Sequence, residues 1–207
     1  MAATPSSRLD AGTRTALLQI AVDAIEGRLT GTGPSPPPDL ATLPTTLGLA
    51  GSSFVSLHTR GGLRGCCGSV EPVRALALDV WRNAQSSAFG DPRFPPLKPH
   101  EWRQVVDLEI FVLSGFETLD SRSEPGLLRQ LEPGVHGLVL AWRGSRATFL
   151  PKVWEQVAGA REFVARLKEK AGWPADFWAD DLVALRYRTE CVSMAHPGTA
   201  PSRRRVV

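Results

Sequence analysis

Apolar residues recur at helical spacing over residues 13–28, where Leu17, Ile20, Ala21, Ala24 and Ile25 share one face and predict an amphipathic first helix. Residues 30–44 break the pattern with Gly31, Gly33, Pro34, Pro36, Pro37 and Pro38. Prolines fix φ and remove backbone donors, so this stretch predicts an extended connection. Two runs, 53–58 and 63–69, flank Arg60-Gly61-Gly62 and predict a β-hairpin whose glycines supply the positive φ of a tight turn. After Pro72, a natural first-turn residue, Val73, Leu76, Ala77, Val80, Trp81 and Ala84 line the buried stripe of a second helix that Gly90 ends.

Further on, a proline-rich loop over 91–99 leads into a strand in which Val106, Leu108, Ile110 and Val112 alternate with Asp107, Glu109 and Phe111. A second hairpin, 135–142 and 146–150, surrounds Gly144. Pro151 opens a helical region with Phe163, Val164 and Leu167 on its buried face and Gly172 at its end. A last strand covers 182–191, where Val183, Leu185 and Tyr187 alternate with Ala184, Arg186 and Arg188. Helix, hairpin, helix, strand, hairpin, helix, strand is not a regular βαβ series, so the expected class is α+β, a mixed or antiparallel sheet with flanking helices. No internal repeat interrupts that order.

A chain of 207 residues can bury a real core as one domain or two packed halves. Its 43% hydrophobic and 22% charged content is that of an ordinary globular protein. Residues 1–14 contain no apolar run that could serve as a signal peptide, and nowhere do eighteen uncharged apolar residues follow one another, so no membrane association and a cytoplasmic location are expected. The three cysteines, Cys66, Cys67 and Cys191, have no framework spacing, as in a reducing compartment. The net charge of +3 resides in Arg203, Arg204 and Arg205; without them the chain is formally neutral. It has no basic stripe interleaved with aromatics, so nucleic acid is not an expected partner. The organisation expected is a flexible N-terminus over 1–12, a domain over 13–191 and a disordered basic tail over 192–207.

Chemistry concentrates at the first hairpin. Alternation along a strand sends Arg64 and Cys66 to one side and Leu63, Gly65 and Cys67 to the other, which assigns Cys67 to the core. With a loop at 60–62, His58 stands opposite Arg64 and Ser56 opposite Cys66, all on one face, an arrangement that a one-residue slip would dissolve. Arg64 and the amino end of the helix near Pro72 would favour a thiolate at Cys66. Gly65 and Gly68 would leave backbone amides open to an anion or oxyanion. Cys66 is then a candidate nucleophile, Arg64 an anion clamp and His58 a base. The plainer reading stands beside it: a glycine-flanked free cysteine packed where space is short, and a histidine on the surface near a turn.

Asp91-Pro92-Arg93-Phe94-Pro95-Pro96 is the second conspicuous element, with Asp91 placed to cap or bend the loop, Arg93 to pair with a carboxylate and the prolines to stiffen it. Glu109, opposite in parity to Leu108 and Ile110, is a candidate partner for an arginine or a solvent-facing residue. No metal site or cofactor loop emerges: Cys66 and Cys67 are adjacent, and the histidines lie in unrelated contexts.

Taken in order, Ser53-Phe54-Val55-Ser56-Leu57, Leu63-Arg64-Gly65-Cys66, Asp91-Pro92-Arg93-Phe94-Pro95-Pro96-Leu97, Glu109-Ile110-Phe111-Val112-Leu113-Ser114, Gly134-Val135-His136-Gly137-Leu138, Phe149-Leu150-Pro151-Lys152-Val153 and Lys170-Ala171-Gly172 resemble the AMMECR domain family, also called AmmeMemoRadiSam system protein A. The resemblance implies an α+β fold with a larger and a smaller subdomain and a cleft near the Leu-Arg-Gly-Cys motif. As functional candidates it implies Arg64, Gly65, Cys66 and Gly68, supported by Asp91, Arg93 and Glu109. It implies no settled activity, and as partners a Memo-like protein and a radical-SAM protein. Cys67 departs from the family's usual branched aliphatic residue, and Lys152 from its usual glutamine. Two functions follow as expectations: an accessory or regulatory module binding through the Leu63 to Cys66 surface, and a cysteine-dependent enzyme acting on a small electrophilic metabolite.

Overall fold

The structure, a computed structural model, describes residues 9–30 and 36–195. The flexible N-terminus and basic tail expected from the sequence lie outside these, apart from residues 9–12 at the start of the first helix and 192–195 in the last strand. The class is α+β, as expected, and the chain divides into two compact units. The larger comprises described residues up to Val112 together with those from Glu190, and the smaller is Leu113–Thr189. Among the described residues no helix is long and apolar enough to cross a membrane.

In the larger unit α1 (Ala11–Leu29) begins where Asp10 accepts hydrogen bonds from the backbone and hydroxyl of Thr13, a standard N-cap, and it buries the predicted face of Leu17, Ile20, Ala21, Ala24 and Ile25. A two-residue strand, β1 (Ala50–Gly51), precedes the hairpin of β2 (Ser53–Thr59) and β3 (Gly62–Gly68). Another, β4 (Arg74–Ala75), pairs back onto β1. That pairing delays α2 (Leu76–Phe89), which starts four residues beyond Pro72 and leaves Val73 two-thirds exposed. A single turn, α3 (Pro99–Trp102), leads into β5 (Val105–Leu113).

The smaller unit holds β6 (Glu117–Thr118), α4 (Glu124–Leu128), the predicted hairpin as β7 (Gly137–Trp142) and β8 (Ser145–Phe149), a 3-10 turn at Pro151–Gln156, and α5 (Ala160–Lys170). The single last strand expected from the sequence is two: β9 (Val183–Tyr187) joins the sheet β6-β9-β7-β8, and β10 (Thr189–Ala195) joins β10-β5-β2-β3. The break falls at Arg188, whose backbone N–H donates to the Ser114 hydroxyl and whose carbonyl accepts from the Ser114 amide. Within β9 the buried side is set by Ala184, while Val183 is half-exposed.

The sheet of the larger unit turns one face to the helices. Val55, Leu57, Leu108 and Ile110 are fully buried there among side chains of α1 and α2. Beside them lies a charged anchor. Asp79, fully buried in the first turn of α2, accepts from the Ser53 amide (2.8 Å), the Ser53 hydroxyl (2.8 Å), Asn83 Nδ2 (2.8 Å), the Ser69 hydroxyl (2.5 Å) and Arg74 Nη1 (2.6 Å). A buried carboxylate is tolerated when its lone pairs are all engaged, and here they tie α2 to β2 and to the segment after β3.

Candidate functional site

The other face of this sheet is polar. Ser56 pairs with Cys66 on β3 and with Glu109 on β5, so register alone sets Cys66, Ser56 and Glu109 in one row across three strands. The Ser56 hydroxyl donates to Cys66 Sγ at 3.1 Å, and His58, two residues along, brings Nε2 to 3.2 Å from Glu109 Oε2. Ser56 is buried, while Cys66, Glu109 and His58 are partly exposed. The Ser56–Cys66 pairing is the one expected from the hairpin pattern.

The expected pairing of His58 with Arg64 does not form. A bulge between Leu57 and His58 shifts the register, so His58 faces Leu63 and the extra residue is Arg64. Released from the ladder, Arg64 is buried and turns to the 91–101 segment, where Nε and Nη2 meet the Glu101 carboxylate at 3.1 Å and Nη2 also donates to the Pro95 carbonyl at 3.0 Å. The same guanidinium holds the Glu101 carboxyl below its ordinary range. The first amide of α2, at Leu76, donates to the Leu49 carbonyl. The sequence showed no sign of Glu101 as the partner, because the two residues are thirty-seven positions apart.

Asp91 and Arg93 act on the backbone of Cys66. β3 is the edge strand of its sheet, and edge strands leave backbone groups unpaired. The Cys66 amide donates to Asp91 Oδ2 at 2.9 Å, and Arg93 Nη2 donates to the Cys66 carbonyl at 3.3 Å. Arg93 is itself fixed to Asp91 through its backbone N–H, Nε and Nη2. The pair therefore does for Cys66 what a neighbouring strand would do. Hydrogen bonds from Arg93, ahead of that from the Cys66 amide, hold the buried Asp91 carboxyl far below the usual carboxylate range.

On the helix side, Cys67 is half-buried opposite Val55, and burial pushes its thiol up. Its amide donates to the Ser87 hydroxyl at 2.8 Å, and that oxygen lies 2.7 Å from the Val55 carbonyl, so α2 links the two strands. The glycines serve close approach. A Cβ at Gly65 would stand 2.0 Å from the Ser87 carbonyl oxygen, and one at Gly68 would stand 2.2 Å from the Phe54 ring. What their missing side chains admit is a helix backbone and an aromatic ring. Among the described residues no three of His, Cys, Asp and Glu converge as metal ligands.

The model of the AMMECR1 family matches residues 18–192. A protein of Methanothermobacter thermautotrophicus is 37% identical over 169 residues, covering 79% of this chain and 84% of its own length. One from Thermotoga maritima is 36% identical over 140 residues, 67% of this chain and 75% of its own. The crystal structure of the uncharacterized protein PH0010 from Pyrococcus horikoshii superposes with a TM-score of 0.80 at 29% identity, covering 87% of this chain and 91% of that one.

Proposed function

Taking as premise that this chain belongs to the AMMECR1 family, we propose that the polar sheet face is a thiol-dependent reaction site for a small electrophilic metabolite. The observation that carries this reading is the bond from Ser56 to Cys66 Sγ within a row that also contains Glu109. Glu109, the register neighbour of Ser56 on β5, is the base that would draw off the thiol proton through the Ser56 hydroxyl. The sulfur is then left as an anion with the Ser56 hydroxyl as its donor. His58 Nε2, beside Glu109 Oε2, steadies the Glu109 side chain. Attack on an acyl carbon forms the S–C bond, breaks the bond to the leaving group, and returns the proton to that group through Ser56. The free thiols fit a reducing, cytoplasmic compartment.

The test is alkylation by iodoacetamide at neutral pH, read residue by residue by mass spectrometry, with the exposed Cys191 as internal standard. Cys66 is expected to react about tenfold faster than Cys191, and Ser56→Ala and Glu109→Gln to remove most of that advantage. A Cys66 no faster than Cys191 overturns the reading.

A second reading, an accessory module docking a Memo-like or radical-SAM protein, draws on Leu63. It is an exposed apolar residue opposite His58, at the end of the same face. Leu63→Asp is expected to abolish capture of such a partner while leaving the alkylation rate of Cys66 unchanged. Capture that survives this change removes Leu63 from the interface. Arg64→Ala is the poorer probe, because it breaks the buried pair with Glu101.

A further inference from the structure

On the helix layer, α1 and α2 pack side by side, and a groove of about 330 Å³ opens between them near their C-terminal ends. Its walls are Arg28, Trp81, Arg82, Gln85, Ser86 and Phe89. Three features set it apart from an ordinary surface furrow. Trp81 Nε1 and Gln85 Nε2 are shut off from solvent and have no hydrogen-bond partner. A buried donor left unmade is costly, so a native fold rarely leaves two side by side on one helix. Gln85 can turn its amide over, but an indole N–H can only donate. Neither Arg28 nor Arg82 has an ion-pair partner among the described residues; Arg28 lies over the Phe89 ring at 4.5 Å, which holds its guanidinium at the groove. Among the described residues no carboxylate lines the groove.

We propose that this groove binds the carboxylate of a small apolar acid. The charge balance selects the ligand. Two guanidiniums bring two positive charges, and two helix C-termini oppose them with roughly half a negative charge each. About one unit of positive charge remains, which suits a monoanion better than a phosphate dianion. A planar carboxylate accepts from a guanidinium fork, with the Trp81 side chain in the wall beside it. Trp81 and Phe89 then receive the hydrocarbon part, in a volume at the lower end of the range for small-molecule sites. The proposal is independent of the chemistry assigned to Cys66, which lies on the opposite face of the sheet.

The test is titration of nitrogen-15-labelled protein with benzoate, following the indole N–H resonances, with the Trp81 peak assigned through Trp81→Phe. The Trp81 peak is expected to shift and saturate below about 10 mM benzoate. Benzyl alcohol, the same size without the charge, is expected to leave it in place. In the Arg28→Gln/Arg82→Gln double variant the affinity falls at least tenfold, while the other indole peaks, unmoved, show that the fold is kept. A Trp81 peak that benzoate does not move, that benzyl alcohol moves equally, or that shifts undiminished in the double variant overturns the proposal.

Discussion

Asp91 holds Cys66 by its backbone: the carboxylate accepts the Cys66 amide at 2.9 Å, while the thiol is engaged by Ser56. Position and chemistry are thus assigned to different neighbours, and the two can be separated by substitution.

Replacing Asp91 tests the positioning half. Asp91→Asn is expected to lower stability by about 2 kcal/mol at neutral pH, the scale of losing charge-assisted hydrogen bonds. Arg93 keeps the Asp91 carboxyl depressed when folded. The stabilisation is therefore complete above the unfolded value near ~3.9 and is lost as pH falls toward the folded one. Urea unfolding across pH should show wild type and variant separated at pH ~7 and converging below pH ~4. A constant gap would mean that charge has no part in it.

The two site glycines should differ. Gly65→Ala drives a methyl into the Ser87 carbonyl of α2, backbone that cannot yield without moving the helix. A loss of about 3 kcal/mol is expected. Gly68→Ala meets the Phe54 ring at Cγ and both Cδ atoms, a side chain that yields by a change of χ1 without moving backbone, so about 2 kcal/mol is expected. Chemical denaturation of both variants checks the order, and equal losses would mean that α2 yields as readily as the ring.

Asp79 should be the most sensitive polar position in the larger unit. Asp79→Ala removes the acceptor shared by Ser53, Ser69, Arg74 and Asn83 and is expected to cost about 4 kcal/mol. Arg74→Ala, at a side chain 28% exposed, should cost about 1 kcal/mol. Thermal melts of the pair test whether the buried carboxylate or its cation is the anchor.

His136 makes the smaller unit sensitive to mild acid. Its Nδ1 accepts the Glu132 amide at 3.0 Å, which requires the ring nitrogen to be unprotonated. Burial, then the charges of Arg186 and Arg188, pushes the imidazole down. The folded state binds fewer protons than the unfolded one below the unfolded value near ~6.5, so its stabilisation is present above that pH and fades as pH falls. Between about pH 7 and 5 the protection factors of amides in β7 and β8, in which the intrinsic pH dependence of exchange is divided out, should fall, and His136→Asn, which supplies an acceptor that does not titrate, should flatten the trend.

What could be read along the chain was local. The buried face of α1, the turn at Gly144 and the stop at Gly172 follow from apolar period and backbone freedom, which depend on neighbours a few residues away. The pairing of Ser56 with Cys66 was equally legible, because a short hairpin fixes its own register from the strand ends. One step further along the same strands, the sequence by itself gave the wrong face. The bulge at His58 expels Arg64, whose pull toward Glu101 and Pro95 comes from a segment remote in the chain. The same holds for Glu109 beside Ser56, for the clamp of Asp91 and Arg93 on the edge of β3, and for the division of the last strand at Arg188. Period and propensity determined which residues face a core and where elements stop. Beyond the hairpins, which strand lies beside which, and in what register, was decided only in the folded chain, where backbone groups on an edge take whatever distant donor or acceptor the packing brings within reach.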